Sequence, residues 1–206
     1  YGHAGRLEDS YNSYLKTLDL EPDNHYVKKQ IAWMVYSAEK NTEEANRILD
    51  SIMVNHKAPD YHLLKAEIAA YNENISEEEK QYELFLKKAE NPDYGAMYNT
   101  YLINLYAEKD PEKALKLAAI EINNRATPET YQLLAYTQLK VGHKEAALKT
   151  IEEYVAGKTE EPKALFHSAL VYKANGMDKQ VAILKEELLG ASYELGPVKA
   201  KEIEKL

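Results

Sequence analysis

The side chains that could do chemistry are six histidines and two runs of carboxylates, and their spacing argues against catalysis. His3, His25, His56, His62, His143 and His167 show no metal-ligand spacing, and no His-Glu-x-x-His occurs. Glu77-Glu78-Glu79 and Glu160-Glu161 look like acid and base pairs. Successive residues on a helix diverge by about 100°, so these read instead as solvated faces or as charge placed near a helix N-terminus. No Gly-rich phosphate loop, nucleophile elbow or triad order is visible, and there is no cysteine for a thiolate site. Asn74-Ile75-Ser76 fits the short glycosylation pattern, which recurs by chance. The chain therefore reads as non-catalytic, with no cofactor and no metal.

What remains is recognition, and for that the elements matter. Pro128-Glu-Thr-Tyr131 is followed by Leu134-Ala135, Gly142, Ala147 and Ile151; a second copy runs from Pro162 through Leu165, Ala169, Gly176 and Val181. Pro128 to Pro162, Ala135 to Ala169 and Gly142 to Gly176 each differ by 34, which marks a stacked array. Within a unit, Tyr131, Leu134, Ala135 and Leu139 make one helical stripe and Ala146, Ala147, Ile151, Tyr154 and Val155 a second, with Gly142 at the turn between them. Neither helix can hide its stripe alone, so stability must come from stacking on neighbours.

Composition agrees. The 206 residues are 45% hydrophobic and 29% charged, an ordinary folded balance. A net charge of −8, without a basic run, argues against a nucleic-acid partner. No apolar run approaches the roughly 18 residues of a membrane span.

Residues 1–24 read as the end of one helix plus its partner, with Tyr1 to Gly5 spaced like Tyr172 to Gly176 and a stop at Leu20-Glu-Pro22-Asp-Asn24. This segment resembles the closing half of a tetratricopeptide repeat. The chain is similar over nearly its whole length to a tetratricopeptide repeat protein of bacterial type, which implies an all-α, right-handed α-solenoid of stacked antiparallel helix pairs.

The units expected are 25–58, a degenerate 59–93, 94–127, 128–161 and 162–196, with a short charged helix over 197–206 as a cap, turning Val198, Ile203 and Leu206 inward. Thr42 is the expected N-cap of one second helix, and Ser76 with Glu79 the capping box of another. The turn at Glu39-Lys-Asn41 lacks glycine and should be one residue longer than average. Asn72-Glu-Asn-Ile-Ser76 reads as irregular, and Lys80, Gln81 or Tyr82 stands where a small residue belongs. Pro111 falls in the first turn of its helix. The leading half unit predicts a natural polypeptide extending upstream. A removed signal sequence would leave no trace, so cytoplasmic and exported placement both stay open.

In this family the first helix of each unit lines a concave groove, the usual binding surface. Carried onto this sequence, the resemblance and helical spacing give Lys29, Trp33 and Tyr36; His62, Ala66 and Ala69; Asn99, Ile103 and Tyr106; Gln132, Tyr136 and Leu139; Phe166, Leu170 and Lys173. The aromatics suit an extended or helical peptide segment of a protein partner, or, as an alternative, a glycan or small molecule bound by an exported protein. They would equally serve by packing between adjacent first helices. The Lys and Asn pair with which some relatives grip a C-terminal carboxylate is absent: Lys29 is followed by Trp33, and Asn99 by Ile103.

Overall fold

The computed structural model describes residues 6–206; the reading of Tyr1 to Gly5 as a helix end lies outside them. The described residues form helices joined by short turns and fall into two compact units. None of these helices is long and apolar enough to cross a membrane.

The first unit runs to Ala89 and includes Gly196–Val198. Its helices are α1 (Leu7–Leu20), α2 (His25–Ser37), α3 (Thr42–Asn55), α4 (Asp60–Tyr71) and α5 (Ile75–Ala89). Turns of three or four residues force α2 and α3, and α4 and α5, into antiparallel pairs. Ala32 and Ala45 are fully buried between α2 and α3, where the lack of a long side chain lets the backbones approach. Leu49, Tyr61 and Ile68 extend the same core.

Two caps differ from the sequence reading. Asn41, not Thr42, caps α3, its Oδ1 accepting from the Glu44 amide at 3.1 Å. Asn74, not Ser76, does so for α5 through the Glu77 amide at 3.2 Å. In both places an asparagine just upstream takes the role, and Thr42 and Ser76 fall inside the first turn. The 38–41 turn is one residue longer than the three-residue turns at 141–143 and 175–177. The 72–74 turn, expected to be irregular, also has three residues, with Glu73 at φ 57° in the place glycine takes elsewhere.

The second unit comprises Glu90–Leu195 and Lys199–Leu206. After a 3-10 turn at Pro92–Tyr94 come α6 (Asn99–Lys109), α7 (Pro111–Asn124), α8 (Pro128–Lys140), α9 (Lys144–Tyr154), α10 (Pro162–Ala174), α11 (Asp178–Gly190), the single turn α12 (Ser192–Leu195) and α13 (Pro197–Glu204), which enters this unit at Lys199. Prolines open α7, α8 and α10, where a missing N–H costs no helical bond. Gly142 has φ 88° and Gly176 φ 71°, the left-handed geometry that ends a first helix and turns the chain back. First helices α8 and α10 pack on each other, and Ala135, Ala147, Ala164 and Ala169 are buried at the crossings. Each unit is thus an all-α stack of helix pairs, the packing of an α-solenoid.

Candidate binding face of the first helices

Within the first unit, Trp33 on α2 is half-buried, and a Cβ added to Gly196 would stand 2.8 Å from its Cη2. Tyr36, one turn on, has no exposed surface. Its hydroxyl donates to Glu67 Oε1 at 3.0 Å and also meets the backbone of Val198. Burial and the Glu67 carboxylate push the phenol far above its ordinary pKa, so it stays a neutral donor. Lys29 pairs with Asp60 on α4.

His62 is buried with Nδ1 2.7 Å from Gln81 Oε1. Gln81 Nε2 donates to Glu77 Oε1 at 2.7 Å, which fixes the amide and makes its oxygen the acceptor, so His62 Nδ1 carries the proton. Burial lowers the His62 pKa, and its Nε2 has no hydrogen-bond partner.

In the second unit, Tyr106 and Lys113 converge on Glu90: the hydroxyl donates to Oε1, Lys113 Nζ lies 2.9 Å from the same oxygen, and that ammonium sits 3.7 Å from the Tyr106 ring centroid. Tyr136 repeats the theme with Glu108, whose second oxygen accepts from Lys140 Nζ at 2.7 Å. Burial would raise the Glu108 pKa, but its bonds to Lys140 and Tyr136 outweigh that and hold the carboxyl below its ordinary value.

His167 on α10 stacks on Tyr136 at 3.8 Å between centroids and 5° between planes. Its Nδ1 bonds Gln132 Oε1, while Gln132 Nε2 donates to the Glu129 carbonyl at 2.9 Å, so the histidine is again the donor. Burial pushes its pKa well down, and it is neutral.

In the second unit a helix of the chain itself packs against α10 and α11. Ile203 of α13 is fully buried against Phe166, Ala169 and Leu188. Lys199 Nζ lies 5.2 Å from the Phe166 ring centroid and 2.8 Å from Glu202 Oε2. Glu202 in turn contributes to raising the Tyr136 pKa. Lys173, exposed at the end of α10, donates to the Lys205 carbonyl at 2.7 Å.

Of the residues expected on this face, Tyr36, His62, Asn99, Tyr106, Gln132, Tyr136 and Phe166 are buried, Lys29 and Trp33 half-buried and Lys173 exposed. Sequence reasoning missed Glu67 and Glu108, the acceptors for the tyrosine hydroxyls, and the seat of Lys199 and Ile203. Ile203 was legible as inward-facing, though not where it would land.

Helix pairs that start 34 residues apart, α8 at 128 and α10 at 162, α9 at 144 and α11 at 178, and that stack first helix on first helix, define a fold of the tetratricopeptide type. Among solved structures the chain is similar to PilW, described as a widely conserved type IV pilus biogenesis factor, with 15% identity, 88% of this chain and 90% of that chain covered, and a TM-score of 0.51. Likeness at that identity shows the fold. YrrB, described as a TPR protein with an unusual peptide-binding site, is matched at 15% identity over 94% of this chain and 98% of that one, with a TM-score of 0.41. No protein-family model matches the sequence. No curated protein sequence does so either.

Proposed function

We propose that the protein is a non-catalytic interaction scaffold whose first-helix face takes a helical or extended peptide segment of a protein partner. The observation that carries this reading is α13 seated against α10 and α11 in the second unit, with one aliphatic side chain sunk beside Phe166 and a lysine over that ring. A surface that holds a short amphipathic helix has the shape and chemistry for helix-in-groove recognition. The glycan alternative draws no support from the tyrosines: the rings of Tyr36 and Tyr106 are buried and their hydroxyls committed to Glu67 and Glu90.

The test is to select binders from a displayed library of helical peptides and map them by methyl NMR on the full chain. Shifts concentrated at Ala169 and Leu170 on α10 and at Leu139 on α8 support the reading. Shifts confined to the second helix α9 contradict it.

A further inference from the structure

Within the first unit the pair α2 and α3 is closed at one end by the 38–41 turn and open at the other, where the chain enters and leaves. That open end carries two histidines. His25 is the first residue of α2, and His56 caps the end of α3. They are far apart in sequence, but antiparallel helices set the start of one beside the end of the other, and the rings stack with centroids 4.1 Å and planes 23° apart. No ligand spacing shows in the sequence because the helix pair, not a local motif, brings the rings together. His25 is exposed and His56 half-buried, and among the described residues neither ring has a hydrogen-bond partner. Of the nearby cations, Lys57 turns its ammonium back onto the Met53 carbonyl and Lys28 faces Asp23 at 3.5 Å.

We propose that His25 and His56 form a two-imidazole site for a borderline divalent cation of the zinc and copper kind, which staples the open end of the helix pair. Neutral imidazole is a donor that such ions favour, and a chain without cysteine has no thiolate to compete for them. With metal–nitrogen bonds of about 2.0–2.1 Å, a tetrahedral ion holds two nitrogens about 3.3 Å apart, within reach of rings already in contact. A ring's lone pair lies in its own plane, so stacked rings do not converge on one point. Rotation of the exposed His25 about its Cβ–Cγ bond supplies the convergence, and water completes the coordination sphere. The unfolded chain holds the two histidines in no fixed relation, so the ion binds the native pair and stabilises it. The site does not depend on the peptide-binding reading.

The experiment titrates Zn²⁺ into the full chain by calorimetry at about pH 7.5, where ordinary imidazole is neutral. The variants are His25→Ala, His56→Ala and, as a control, His143→Ala, which alters an exposed turn of the second unit. Urea unfolding with and without Zn²⁺ reads stability. Imidazole nitrogen NMR on the wild-type chain shows which rings are coordinated, so a variant that fails to fold leaves the question decidable. The proposal expects one ion per wild-type chain, a raised urea midpoint, and shifts at His25 and His56 together. Binding and the midpoint rise should be lost in either of their variants and kept in His143→Ala. A wild-type chain that binds no ion carries a stacked pair only, and the proposal fails. It fails equally if binding survives His25→Ala or His56→Ala or is lost in His143→Ala, if only one of the two rings shifts, or if bound Zn²⁺ leaves the midpoint where it was.

Discussion

His167 and Gln132 sit on successive first helices, and the hydrogen bond from His167 Nδ1 to Gln132 Oε1 joins one repeat to the next where both side chains are buried. Removing the acceptor strands a buried N–H. Gln132→Leu should therefore cost about 1–3 kcal/mol in urea unfolding. The double variant Gln132→Leu/His167→Phe, which removes both polar groups, should recover part of that loss, and a double-mutant cycle reads the coupling.

The same histidine makes stability depend on pH. Its folded pKa lies well below the ordinary value, and the unfolded chain binds a proton near pH 6.5. The contribution is therefore fully present above about pH 6.5 and is lost as pH falls toward the folded pKa, with a limiting slope of about 1.4 kcal/mol per pH unit. His62, also lowered by burial, acts with the same sign. Between about pH 6.5 and 5, above the carboxylate range, His167→Phe should flatten the profile measured by urea unfolding. A wild-type profile that is level across this window would contradict the buried neutral imidazole.

Turn chemistry gives a pair of opposite expectations. Gly142→Ala places a side chain at φ 88° and should destabilise by about 1–2 kcal/mol. Glu73 already stands at φ 57° on an exposed turn, so Glu73→Gly should stabilise by up to about 1 kcal/mol, read as a rise in the urea midpoint with an unchanged slope.

The tyrosine and glutamate pairs also separate cleanly. Tyr136→Phe removes one of the donors that hold the Glu108 carboxyl low while leaving Lys140 in place. The Glu108 pKa should rise in a carboxyl NMR titration, and stability should fall by about 1 kcal/mol.

Much of this fold was legible because the array repeats itself: glycine spacing, alanines at the crossings and prolines at helix starts each carry a local physical reason that survives without tertiary information. The caps of α3 and α5 were misplaced by one and two residues because Asn, Thr and Ser all satisfy the same amide, and only the backbone decides which of them stands outside the first turn. Helical spacing gave the row of first-helix positions. The burial of Tyr36 and Phe166 was not legible, since a pattern of spacings does not say what covers them. Nor could periodicity pair Tyr136 with Glu108, two helices away in sequence, or bring Ile203 to Ala169.

The most direct measurement is hydrogen exchange of the backbone amides of α8 to α11, taken on the free chain and on the chain saturated with a selected helical peptide. Slower exchange at Ala169 and Leu170 on α10 in the saturated chain is the predicted result. A peptide bound at saturation with protection confined to α9 would contradict a peptide-binding first-helix face.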